Sequence, residues 1–192
     1  MLIAKRVLSN EEIKNATVAI PGRFTTANFL LSLAFPQIKQ KKEMLFSEIE
    51  QAVLNNEVDA GLIIHENRFT YQEKGLLKII DLGEYWETKT KLPIPLGGIA
   101  IKRNLPQETK LAFQELLQKS IEMAFEQPQH TLPYVKKYAQ EMNEQVMMQH
   151  IELYVNQYSV DLGKKGKNAI KMLFDMAQKK QIIPAFNGNI LL

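Results

Sequence analysis

Short apolar runs alternate with helix-period stripes through the first half of the chain, whereas the second half keeps the helical period almost throughout. This alternation predicts an α/β arrangement of parallel strands with crossover helices, giving way to a helical region. Residues 16–20 (ATVAI) read as a strand because the run is short, partly β-branched and stopped by Pro21 and Gly22. From Ala27, the positions Ala27, Leu30, Leu31, Ala34 and Phe35 form one stripe at helical spacing, ended by Pro36. A further unit runs from residues 43–46 into Ser47, where a capping box with Glu50 is expected to start a helix that buries Ile49, Ala52 and Val53. Residues 60–64 (AGLII) are continuously apolar, as expected of a strand covered on both faces. Residues 76–81 and 96–101 predict two more strands, the second with Gly97 and Gly98 open to close approach by another backbone or a ligand. Pro106 suits the first turn of a long helix carrying Leu111, Phe113, Leu116, Leu117, Ile121, Ala124 and Phe125, and shorter helices are predicted over 134–139, 146–155 and 168–180.

Length admits one domain or two small lobes, since a chain of 192 residues can bury about 70% of its unfolded surface. With no cysteine there is no disulfide framework, thiolate metal site or cysteine nucleophile. The opening MLIAKRVLSNEE has charges where a signal sequence would be apolar, so export is not expected and a cytoplasmic location is. No window approaches the roughly 18 apolar residues of a membrane span. Net charge is +3, and the lysine clusters at 39–42 and 164–167 lie far apart without interleaved aromatics. They read as solvated loops rather than as a nucleic-acid surface. No HExxH, EF-hand, Walker or GxGxxG pattern occurs, so neither a metal nor a cofactor is expected.

Ligands of open α/β sheets bind beyond the carboxyl ends of strands, and two loops qualify. In residues 21–27 (PGRFTTA), Gly22 allows a sharp turn, and the first amides of the next helix can receive an anion or a carbonyl. Thr25 and Thr26 add hydroxyls, and either could instead cap that helix. The second loop, residues 64–75, places His65 directly after the buried strand. Its imidazole, with an ordinary pKa near ~6.5, can serve as a general base or make a structural hydrogen bond, and position alone leaves both open. Glu66, Arg68 and Tyr71 could orient the ring or be loop surface. His130 and His150 read as exposed or structural, and Phe69, Tyr71, Tyr85 and Trp86 as packing aromatics.

The segments VAIPGRFTTANFLLSL, VDAGLIIHENRFTYQEKGL, DLGEYWETKTKLPIPLGGIAIKR and YVNQYSVDLGKKG resemble the 1,4-dihydroxy-6-naphthoate synthases of the futalosine route to menaquinone. The resemblance implies a type II periplasmic-binding-protein-like fold, two α/β lobes joined by crossing strands. On this sequence, residues 1–6 would be the first crossing strand and 7–95 the smaller lobe, with 96–192 forming the second crossing strand and the mainly helical remainder of the larger lobe. It implies a lyase that converts cyclic dehypoxanthinyl futalosine, a small-molecule substrate, without a cofactor. His65 would be the base, and Thr26 and Ala27, with Thr25 adjacent, would contact substrate. The alternatives are a solute-binding module of the same fold, disfavoured by the missing signal sequence, and a chorismate dehydratase, disfavoured by the histidine loop.

Members of that family carry a further segment ahead of the first crossing strand, with a Pro-Asn-Asp-Thr turn and a Lys-Leu-Ser stretch, and neither occurs in these residues. The larger lobe is therefore expected to be incomplete. Apolar surface should be exposed on the helices after Pro106, with self-association and little activity unless that segment is supplied.

Overall fold

A computed structural model describes residues 1–64, 67–139 and 143–192. It divides into two compact units, Met1–Ile94 and Pro95–Leu192.

The first unit is built on a sheet of five strands: β1 (Leu2–Ala4), β2 (Val18–Ile20), β3 (Lys41–Glu43), β4 (Ala60–Leu62) and β5 (Leu77–Ile80), in the order β3-β2-β4-β1-β5. β2 pairs in parallel with β3 and β4, while β1 runs antiparallel between β4 and β5. Hence β2, β3, β4 and β5 all point one way. Helix α2 (Thr26–Ala34) carries the chain from β2 outward to β3, and α3 (Ile49–Leu54) carries it back past β2 to β4. Two right-handed crossovers in opposite directions place these helices on opposite faces of the sheet.

Strand alternation then sorts the core. Ile3, Ala19 and Ile63 face a cluster with Ile49, Val53, Tyr71 and Leu76, whereas Leu2, Val18 and Leu62, equally buried, point to the other face. Gly61 lies under α3 so closely that a Cβ there would come within 2.5 Å of the Ile49 side chain and 2.8 Å of Val53. A close crossing of strand and helix thus requires that glycine. Helix α5 (Leu82–Thr90) follows β5 and packs against α2. Its Trp86 is 1% exposed and donates from Nε1 to the Pro93 carbonyl at 3.0 Å.

Several local expectations need correction. Ser47 does not cap α3; a 3-10 turn at Phe46–Glu48 precedes it, and no side chain caps either element. Glu50 is buried and turned instead toward Asn67 and Lys74. The lysine cluster at 39–42 is not all loop, because Lys41 and Lys42 lie in β3, an edge strand whose charged side chains discourage further pairing. Residues 96–101 form no strand, for among the described residues no ladder partner accompanies them and Gly97 and Gly98 face open space. A short helix α1 (Asn10–Asn15) was not anticipated, although Ser9 and Glu12 close a capping box at its start.

The second unit is helical: α6 (Gln107–Glu126), α7 (Pro128–Tyr138), α8 (Glu144–Tyr154), α9 (Gln157–Val160) and α10 (Gly163–Lys179). The lysines at 164–167 belong to the first turn of α10 rather than to a loop. Small residues Gly166 and Ala169 let α10 pack closely, with a Cβ at Gly166 falling 3.2 Å from Tyr158 and Leu162. No residue of α6 is buried, and Leu111, Phe113, Leu116, Met123 and Phe125 on it are exposed. Among the described residues no helix is long and apolar enough to cross a membrane.

Candidate functional site

The register between β2 and β4 matches Val18 with Ala60 and Ala19 with Gly61, so the residues after Ile20 and those after Leu62 leave the sheet at one edge. The chain after β3 and β5 leaves there too, since both run parallel to these strands. Both loops singled out from the sequence therefore start from adjacent strands at the carboxyl edge. His65 and Glu66 lie outside the described residues.

The first loop is fixed at many points. Gly22 has φ of +150°, which a side chain would resist, and its carbonyl accepts from the Thr25 hydroxyl at 2.8 Å. That same hydroxyl accepts from the Asn28 amide at 3.2 Å and caps α2. Thr25 is thus committed to the helix start. Arg23 N–H donates to Glu43 Oε2 at 2.9 Å, and the Arg23 carbonyl accepts from Asn28 Nδ2 at 2.7 Å. Asn28 in turn accepts from Lys41 Nζ at 2.8 Å, and Lys41 also reaches Ser32 Oγ at 2.8 Å. Burial pushes the Lys41 ammonium below the ordinary lysine pKa.

Thr26 and Ala27 form the first turn of α2 and are half-buried. Unlike Thr25, Thr26 makes no side-chain hydrogen bond among the described residues. The two adjacent hydroxyls are therefore separable by experiment. Thr25→Ala should cost about 1 kcal/mol of stability through the lost cap, whereas Thr26→Ala should stay within roughly 0.5 kcal/mol. Urea unfolding midpoints check both, and equal losses would mean that the cap assignment is wrong.

The second loop is anchored on either side of its undescribed pair. Ile63 is buried and exchanges backbone hydrogen bonds with Met1 at 3.0 and 3.1 Å. Beyond, α4 (Asn67–Thr70) begins with Asn67 donating to Glu50 Oε2 at 2.6 Å, and Lys74 bonds the same oxygen. The other oxygen, Glu50 Oε1, is buried without a partner among the described residues. How Arg68 and Tyr71 stand to the His65 ring lies outside the described residues. Arg68 pairs at 2.8 Å with Asp81, which also caps α5, and Tyr71 is in the core. Sequence reasoning passed over Glu50, read as a cap, although a carboxylate amid the inward stripe Ile49, Ala52 and Val53 was a usable signal.

Of the remaining histidines, His130 is exposed on α7, and His150 on α8 meets Tyr154 edge-on with ring centres 4.9 Å apart.

Residues 1–179 match the sequence pattern of a family described as Menaquinone biosynthesis. A protein of Thermus thermophilus named 1,4-dihydroxy-6-naphtoate synthase is 41% identical over 170 residues, covering 88% of this chain and 62% of that one. A protein of the same name from Streptomyces coelicolor is 41% identical over 190 residues, covering 95% of this chain and 67% of that one. The chain thus spans about two thirds of the length of the curated relatives it matches. A crystal structure of a protein from Archaeoglobus fulgidus superposes with a TM-score of 0.87 at 38% identity, over 95% of this chain and 67% of that one. With the match running through both units, the chain belongs to the menaquinone biosynthesis family.

Proposed function

We propose that this protein is a carbon–carbon lyase that converts cyclic dehypoxanthinyl futalosine to 1,4-dihydroxy-6-naphthoate in the cytoplasm, using no cofactor. The supporting observation is the 41% identity to two relatives named for that product, extending over 88% or more of the chain. His65 acts as the general base, taking the proton whose loss starts cleavage, and formation of the aromatic naphthalene helps drive bond breaking. Thr26 and Ala27, at the start of α2, contact the hydroxyl-rich part of the substrate, for which the first helix amides are donors. Thr25 contributes by shaping that turn. The surrounding fold is the two-lobed, type II periplasmic-binding-protein-like one, with the substrate in its cleft.

Incubating the purified protein with cyclic dehypoxanthinyl futalosine alone, and following the naphthoate by liquid chromatography and mass spectrometry, tests this directly. Product should form without added metal or redox cofactor. Failure to form it, with chorismate turned over instead or with ligand bound but unchanged, would point to the dehydratase or the solute-binding alternative.

A further inference from the structure

Phe24 is 90% exposed, although the loop that carries it is hydrogen-bonded on both sides of it. On its two sides, Arg23 is held by Glu43 and Asn28 through its backbone, and Thr25 is held by Gly22 and Asn28. A solitary exposed phenylalanine carries little information. Its location carries more. Within residues 1–94, the exposed large apolar side chains are Val7, Phe24, Leu45 and Leu77 among those described. β1 ends and β5 begins at the amino edge of the parallel strands, which places Val7 and Leu77 there. Phe24 and Leu45 follow β2 and β3 and so stand at the carboxyl edge, on adjoining loops bridged by the Arg23–Glu43 hydrogen bond. Beside the ring, the Arg23 guanidinium carbon lies 5.6 Å from its centre, and Arg23 makes no ion pair among the described residues.

We propose that Phe24 is a specificity-determining residue that stacks on the aromatic ring of the substrate, while Arg23 pairs with the carboxylate on that ring. This rests on the lyase reading above and names the recognition element for its aromatic half. A ring presented on a pinned turn loses little backbone freedom on binding, because the turn is already placed. Offset stacking matches a planar partner, and a guanidinium fork matches a planar carboxylate. The adjoining start of α2, with Thr26, is left for the hydroxyl-rich portion.

The test measures equilibrium binding of naphthalene-2-carboxylate and of its uncharged analogue 2-naphthalenemethanol to the full chain. The variants are Phe24→Ala, Phe24→Leu and Arg23→Gln, each with a melting curve to show an unchanged fold. Phe24→Ala should weaken naphthalene-2-carboxylate about 10-fold, with Phe24→Leu restoring only part of the loss. Arg23→Gln should weaken the carboxylate but leave the alcohol unaffected. With the true substrate, Phe24→Ala should raise KM rather than lower kcat, the mark of binding shared by ground and transition states. Wild-type affinity in Phe24→Ala, full recovery in Phe24→Leu, or no binding by the wild type would overturn the proposal. Naphthalene-2-carboxylate needs no turnover, so an inactive protein that still binds it through Phe24 would refute the lyase reading alone.

Discussion

Replacing His65 with alanine is expected to lower kcat/KM for the naphthoate-forming reaction by about 100- to 10,000-fold, the usual contribution of a positioned general base. The unfolding midpoint should stay where it is. Among the described residues the loop is anchored by Asn67 and Lys74 on Glu50 and by Arg68 on Asp81. The pH profile gives an independent check, because only the neutral imidazole accepts a proton. The wild-type kcat/KM should therefore fall toward acid pH as the imidazole is protonated, and level off once it is neutral. A His65→Ala protein with near-normal turnover would remove histidine from the chemistry. One that no longer folds would make it structural.

The largest loss of stability is expected from Trp86→Ala. The indole is fully enclosed in α5 and is the sole tryptophan of the chain. Its removal opens a cavity that the neighbouring helices cannot fill without moving, at a cost of about 3–5 kcal/mol. The Pro93 carbonyl, which accepts the indole N–H at 3.0 Å, loses its donor as well. Trp86→Phe keeps most of the volume and should cost clearly less. Because the substitution removes the fluorophore, circular dichroism in urea is the suitable measurement. A shift worth under ~1 kcal/mol would mean that the site collapses around the smaller side chain.

Elements whose burial shows in composition were legible in the sequence. Residues 60–64 read as a strand closed on both faces, and Leu62 and Ile63 are indeed buried in β4 and just beyond it. The stripe from Ala27 to Phe35 became α2, with Phe35 as its cap. What stayed hidden was structure whose side chains are polar or few. β3 consists of Lys41, Lys42 and Glu43, and such an edge strand looks like a charged loop. Helix α1 buries Ile13 alone, too little for a periodic signal. Conversely, residues 96–101 have a strand-like composition but no partner to pair with among those described. At the candidate site, the turn at Gly22 and the two threonines could be located. The split between a capping Thr25 and an uncommitted Thr26 depends on a one-residue choice of helix start that propensity does not resolve. The exposure of Phe24 could not be read at all, since an aromatic beside an apolar helix stripe looks like core.

The antiparallel strand β1 also sets how the first unit must assemble. Its three residues form the seam between β4 and β5, which are not paired to each other. The partners joined there lie about 60 and 75 positions apart along the chain. Such contacts require closing long loops before any of them forms, which places this seam among the slow, non-local events of folding. Until it closes, β4 and β5 each present an unpaired edge. Once closed, β1 cannot fray by itself without parting the sheet, so its amides should exchange with solvent only when the whole unit opens.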